Sequence, residues 1–309
     1  MQMINVVNSD DLDSWNYTAN GDRRGYIEPH RLKELWFHTG TACNLSCNFC
    51  LEGSGPADTR IELIKLEEVR PYIDEAVELG VEQFSFTGGE PFVAREIIKV
   101  LQYAANHRPC LVLTNATDPL HQRREQLKQL LACNHPVSFR VSLDYPEPAA
   151  HDAGRGEGSF QQALQGMKLL QELGFHLSVA RQMRAGEESG AVEKQYRQLF
   201  IEQGLDPDLR LVAFPDFLPP GSHADVPDIT EHCMTHYQNE ESRRQFMCAF
   251  SKMIVKKRGQ LGVYACTLVD DDDDYNQGRS LREALSQRVS MKHHRCFSCF
   301  SLGSSCSEI

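Results

Sequence analysis

Three cysteines, Cys43, Cys47 and Cys50, fall within the stretch Thr41–Cys50. Thiolates in a C-x3-C-x2-C spacing on one loop can hold three irons of a cubane cluster. The fourth iron then lacks a protein ligand and stays open to a small molecule. A cluster that only carries electrons is normally closed by a fourth cysteine. Zinc on three cysteines is the competing reading. A second set lies far downstream: Cys248 and Cys266, then Cys296 and Cys299, with Cys306 a few residues beyond. C-x17-C followed by C-x2-C suits either another iron–sulfur cluster or a structural zinc. Cys110 and Cys133 stand apart from both sets and are expected to pack in the core.

The chain has 309 residues, 41% of them hydrophobic and 24% charged, which suits one large α/β domain with a small appendage. No basic region followed by an apolar run opens it, and no stretch approaches the roughly 18 apolar residues of a membrane helix. The expected location is therefore the cytoplasm, with no membrane partner. Thiols stay reduced there, so eleven cysteines call for metal and not for disulfides. The net charge of −11 includes the run Asp270–Asp274. Such a surface repels phosphate backbones and disfavours nucleic acid as a partner. The Asp run itself reads as a solvated loop.

The elements that must position these cysteines alternate in type. Strands are expected at 35–40, 81–86, 110–114, 137–144, 175–181 and 209–214. Helices are expected at 66–80, 93–107, near 121–132, at 159–174 and near 190–204. Pro71 is expected to start or kink the first of these helices. This alternation implies βα units on a parallel sheet. Six units are too few for a closed eight-fold barrel, so the fold class is α/β with a partial (β/α)6 barrel. The rhythm breaks at 215–230, where proline and glycine cluster. Beyond it come a hairpin turning near Arg258–Gly262, a short helix and the cysteine-rich end. The expected divisions are an N-terminal extension (1–34), a core (35–220) and a small hairpin-and-helix domain (221–309).

In a parallel sheet the loops beyond the strand carboxyl ends build the active site. Cys43, Cys47 and Cys50 follow the first strand, with aromatic Phe49 before the last cysteine. "FTGGEP" (86–91) ends the second strand, "SLD" (142–144) ends the fourth, and "HDAGRG" (151–156) follows it. In that order, from residue 35 to about 215, the chain resembles the radical S-adenosylmethionine (radical SAM) enzymes. The resemblance implies that the open iron binds the amino and carboxylate groups of S-adenosylmethionine (AdoMet). By the same resemblance Gly88, Gly89 and Glu90 take the ammonium, which a carboxylate suits. Ser142 and Arg155 match positions that hold the carboxylate or ribose, Asp144 sits beside them, and Phe49 lies against the adenine. Asn115 ends the third strand inside the cavity. For Asp144 and Asn115, turn chemistry at a strand end remains the alternative.

The second cysteine set resembles the twitch domain, a shortened SPASM domain carrying one auxiliary [4Fe–4S] cluster. Cys248, Cys266, Cys296 and Cys299 would be its four ligands. Cys306 would replace one of them, stand as a hydrogen-atom donor to a substrate radical, or have no role. The implied chemistry is reductive cleavage of AdoMet to a 5′-deoxyadenosyl radical, which takes a hydrogen atom from a substrate carbon. An auxiliary cluster beside the substrate would accept the remaining electron in a net oxidation, bind the substrate, or relay an electron. An external donor such as flavodoxin or ferredoxin would supply the first electron. The substrate is a small molecule or a peptide. Only 34 residues precede the first expected strand, too few for an added leader-binding domain, which favours a small molecule or a peptide recognised otherwise. Peptide epimerisation or cross-linking is an alternative outcome. A two-cluster electron carrier is an alternative of another class, disfavoured by Glu90, Ser142 and Arg155.

Overall fold

A computed structural model describes residues 14–303 and 307, apart from 185, 216, 217 and 219. Cys306 lies outside the described residues. The strands are β1 (Tyr26–Ile27), β2 (Glu34–His38), β3 (Gln83–Thr87), β4 (Cys110–Thr114), β5 (Val137–Ser142), β6 (His176–Gln182), β7 (Arg210–Phe214), β8 (Ser251–Lys257), β9 (Gln260–Tyr264) and β10 (Val289–Ser290). The helices that matter here are α1 (Leu66–Glu78), α2 (Ile97–Ala105), α3 (Pro148–Arg155), α4 (Ser159–Leu173), α5 (Ser189–Gln203) and α6 (His294–Leu302).

Eight strands form one sheet in the order β7-β6-β5-β4-β3-β2-β8-β9. From β2 to β7 every neighbouring pair is parallel, and helices return the chain between strands, so the six expected units are present. Each β-rich run became a strand within two residues of its expected ends. Pro71 neither starts nor stops α1, which begins at Leu66, where the Lys65 N–H is accepted by Glu68.

Alternation along the strands separates two apolar layers. Leu35, Phe37, Phe84, Phe86, Val112, Phe139 and Val141 point outward and pack on Val69 and Ile73 of α1, Leu101 of α2, and Leu164 and Met167 of α4. Trp36 and Leu111 point inward and join Met253, Tyr264, Cys266 and Leu268. Burying one such side chain contributes about 2 kcal/mol, so the outward layer dominates the stability of the sheet. Cys110 is buried in that layer, and Cys133 packs against it.

The C-terminal part does not stand off from this sheet. β8 pairs in parallel with β2, from Glu34↔Ser251 to Phe37↔Ile254. β9 then folds back on β8 around Arg258 and Gly259, whose φ values of 53° and 73° suit a tight hairpin turn. The N-terminal stretch is held by the far end of the chain, since Tyr26 pairs with Ser290 and Ile27 with Val289. None of the described helices is long and apolar enough to cross a membrane.

The β2–β8 pairing has a measurable consequence. A chain ending at residue 220 leaves one edge of β2, whose residues are all buried in the intact chain, open to solvent, which favours aggregation. Such a truncation is expected to elute as aggregate in size-exclusion chromatography and to lose cooperative thermal unfolding. A monomer that melts cooperatively would show that residues 35–220 fold as an independent core.

Candidate active site

The loop after β2 carries the first cysteines and is pinned at both ends. The Thr39 N–H donates to Thr87 O (2.8 Å), Thr41 N–H to Ile61 O (3.0 Å) and Cys43 N–H to Gly55 O (3.1 Å). Between them Cys50 N–H turns back to Cys47 O (3.3 Å). The end of β3 slides beneath this loop: Gly89 N–H donates to Gly40 O (2.8 Å) and Glu90 N–H to Ala42 O (3.1 Å). A Cβ on Gly88 would meet Gly40 O at 2.8 Å, and one on Gly89 would meet Ala42 O at 2.5 Å. Only glycine allows that approach, and Gly88 also has φ +147°. The two glycines therefore seat the cysteine loop, a role beyond the one expected for them.

Burial pushes the Cys43 thiol up to about 12, with Glu90, Cys47 and Cys50 adding to the effect. Burial also raises Cys47, against the pull of the Arg155 guanidinium. Thiols held this way ionise when a metal supplies positive charge. The three thiols offer sulfur donors only, which suits an iron–sulfur cluster or a zinc ion.

A cavity of about 220 Å3 opens beside this loop at the carboxyl ends of the strands. Of the expected site residues, Cys47, Phe49, Cys50, Gly88, Gly89, Ser142, Asp144 and Arg155 line it. Arg155, from the end of α3, grips Asp144 with both arms, Nε to Oδ2 and Nη2 to Oδ1 (3.0 Å for the second). Its guanidinium carbon lies 5.5 Å from the Phe49 ring centroid. A Cβ on Gly154 would strike Phe49 at 2.3 Å, so α3 packs directly on the cysteine loop. His151 Nδ1 accepts the Asp144 N–H at 3.1 Å.

Glu90 and Asn115 stand behind the cavity wall. The Glu90 carboxylate is 1% exposed and accepts from Thr114 Oγ1 (2.9 Å), Asn115 N–H (2.8 Å) and Phe92 N–H (3.1 Å). Burial nevertheless pushes its carboxyl up to about 7. Asn115 Nδ2 donates to Asn44 Oδ1 (3.1 Å) and lies 3.8 Å from Cys43 Sγ.

Several wall residues were not anticipated. Trp36, Leu113, Arg181, Gln182 and Phe214 also line the cavity. All sit in strands, and for Arg181, Gln182 and Phe214 a place at a strand's carboxyl end was the available signal. Glu52 is another. Its carboxylate lies 3.1 Å from His38 Nε2, and Asp270 Oδ2 lies 3.7 Å from the same nitrogen. His38 Nδ1 accepts the Gly40 N–H at 3.1 Å, which assigns the ring proton to Nε2 and makes that atom the donor. The Asp run is thus not simply a solvated loop. Asp270 is 1% exposed, and burial together with Glu52 pushes its carboxyl well up. Asp273 and Asp274 remain exposed and pair with Lys257 and Lys292.

The second cysteine set also comes together. Cys248, Cys266, Cys296 and Cys299 line one small cavity with Phe246, Leu268, Tyr275 and Met291. Cys248 precedes β8, Cys266 follows β9, and Cys296 and Cys299 are one turn apart on α6. Burial pushes the Cys248 and Cys296 thiols up to about 12.

Residues 37–182 match the sequence profile of the Radical SAM superfamily. Mycofactocin maturase MftC of Mycolicibacterium smegmatis is 31% identical over 134 residues, 43% of this chain and 33% of that protein. The subtilosin biosynthesis protein AlbA of Bacillus subtilis is 32% identical over 140 residues, 45% of this chain and 30% of AlbA. A GTP 3′,8-cyclase of Tolumonas auensis is 27% identical over 134 residues, 43% of this chain and 39% of the cyclase. The similarity thus spans about a third of these curated relatives. In fold, Streptococcus suis SuiB bound to S-adenosylmethionine superposes with a TM-score of 0.59 at 14% identity, over 83% of this chain and 66% of SuiB. anSMEcpe with bound AdoMet does so with a TM-score of 0.58 at 14% identity, over 86% and 82%.

Glu90→Ala removes the acceptor for two buried backbone N–H groups and the Thr114 hydroxyl. Each orphaned donor costs about 1 kcal/mol or more. Chemical denaturation is expected to show a loss of about 3 kcal/mol, while iron content after reconstitution is kept. Unchanged stability with weakened AdoMet binding would instead assign Glu90 to the ligand alone.

Proposed function

We propose, from the premise that residues 37–182 make this chain a radical SAM protein, that it abstracts a hydrogen atom from an uncharged carbon centre of a peptide or small molecule, in a net oxidation assisted by one auxiliary cluster. One observation carries this reading. The cavity beside Cys47 and Cys50 is also lined by Thr267, the neighbour of Cys266. A substrate in that cavity would touch the surroundings of both cysteine sets.

Cys43, Cys47 and Cys50 would hold the first [4Fe–4S] cluster. Phe49, Gly88, Gly89, Glu90, Ser142, Asp144 and Arg155 would surround AdoMet, and Cys248, Cys266, Cys296 and Cys299 would hold the auxiliary cluster. When bound, the first cluster and AdoMet supply a reductively generated carbon radical, with the electron coming from an external donor. The chain's own residues do the rest. Trp36, Leu51, Leu113 and Phe214 give the cavity an apolar wall that excludes water. Its arginines are already paired, Arg155 with Asp144 and Arg181 with Glu187, and Glu52 accepts the His38 Nε2–H. Among the described residues no cation of this wall is left over for a triphosphate, which sets the cavity apart from what a GTP cyclase must bind. A side chain or small molecule with an uncharged reacting portion suits it. The peptide-bound structures of SuiB and anSMEcpe favour the peptide side of that choice. An electron carrier would have no use for such a cavity.

Anaerobic reconstitution is expected to give about eight irons per chain, and the Cys43/Cys47/Cys50 triple alanine variant about four. Dithionite and AdoMet should yield 5′-deoxyadenosine with the intact chain and none with the triple variant. Full iron content in the triple variant would sink the assignment of the first cluster. Intact clusters without AdoMet cleavage would leave electron transfer as the function.

A further inference from the structure

Lys252 sits in β8 with no exposed surface. Its Nζ donates to Gln277 Oε1 at 2.7 Å. The orientation of that amide is set independently. Gln277 Nε2 donates to Gln287 O (3.3 Å), and Gln287 Nε2 returns to Gln277 O (3.1 Å). The amide oxygen is thereby turned toward the lysine. Among the described residues no carboxylate lies within ion-pair distance of Lys252, whereas the buried Lys256 four residues on reaches Glu68 at 2.8 Å. A buried ammonium facing only a neutral partner is costly, and such a charge is normally paired. Lys252 is the second residue of β8, beside the end of β9, and the groups whose negative charge would act on it are the sulfurs of Cys248, four residues before it, and Cys266, two residues after β9. Both line the second cysteine cavity.

We propose that Lys252 is the built-in counter-charge of the centre held by Cys248, Cys266, Cys296 and Cys299, and that it holds the reduction potential of that centre up. The inference rests on the reading of those cysteines as an iron–sulfur site. Four thiolates give a cubane cluster net negative charge, and reduction adds one more negative unit. A fixed positive charge in a low-dielectric setting stabilises the reduced form more than the oxidised form. A tetrahedral zinc gains no such advantage, because it has no second redox state. The desolvation of Lys252 is then explained by the site it serves. Gln277 supplies the one hydrogen bond that positions the ammonium without cancelling its charge.

The test uses the Cys43/Cys47/Cys50 triple alanine variant, in which the auxiliary centre is the remaining cluster. Its potential is measured by mediator titration followed by electron paramagnetic resonance. Adding Lys252→Met or Lys252→Gln is expected to keep about four irons per chain and to move the potential to more negative values. Lys252→Arg should restore most of the shift. An unchanged potential in a neutral variant with full iron content overturns the proposal. Where both neutral variants fold by circular dichroism but lose iron, retention of iron by Lys252→Arg supports the charge pairing. Loss of iron from all three, arginine included, assigns Lys252 to packing and overturns it. A parent triple variant that binds no iron separates failure of the cluster reading from failure of the lysine's role.

Discussion

The buried guanidinium of Arg295 joins parts of the chain that nothing else connects so directly. Nη1 donates to Leu268 O and Asp271 Oδ1, both at 3.1 Å, and Nη2 to Leu218 O (3.0 Å) and Leu51 O (3.4 Å). One side chain thus ties the first cysteine loop, the segment after β7, the Asp run and α6 together. Hydrogen bonds from a charged donor contribute about 1.5–3 kcal/mol each, and orphaning several acceptors at once would cost more than most single packing changes. Arg295 is also the residue before Cys296. The clamp therefore sets where Cys296 stands relative to the loop of Cys50.

A second buried polar group lies beside this clamp. Glu52 adjoins Leu51 and Asp270 adjoins Asp271, and both carboxylates approach His38. Burial alone pushes Glu52 up, but the proton on His38 and the charge of Arg295 more than reverse this. Burial and the Glu52 charge push Asp270 the other way. The two carboxyls are thereby pushed in opposite directions, and the His38 Nε2–H is hydrogen-bonded to Glu52. The same logic governs the cavity wall, where each charge has a local partner. What remains electrostatically incomplete is the thiols. Burial raises Cys43, Cys248 and Cys296 alike, and among the described residues no cation is bonded to them. Positive charge from a metal centre would complete both cavities.

The parts legible from sequence are those encoded locally. Each β-rich run, each helical pattern and the tight turn at Arg258–Gly259 depend on neighbours in the chain. The cysteine spacings were legible for the same reason, since a loop or a single helical turn sets them. The pairing of β8 with β2 was not, because periodicity says which face of a strand is buried and nothing about its neighbour. The Asp run misled for a related reason: five consecutive acids read as solvated, yet the fold takes Asp270 into a partnership with His38 from a strand 232 positions earlier. Arg181 and Gln182 were missed because their type announces no chemistry. Only their place at the end of β6 does.

The parallel pairing of β8 also decides how the two cysteine sets relate. Because β8 runs with β2, Cys248 enters at the amino-terminal side of the sheet, while Cys43 leaves from the carboxyl side. Two sets on opposite ends would be remote if the strands were all that lay between them. The inward face of β2 closes the gap. Trp36 lines the upper cavity, and it belongs to the same packed cluster as Cys266, with Cys248, Cys296 and Cys299 against that cluster. A large, rigid aromatic side chain, fully buried, fills the space between the upper cavity and that cluster without a mobile stem. The sheet thus places the cysteine sets above and below one side chain, and the Arg295 clamp holds the second set in that position.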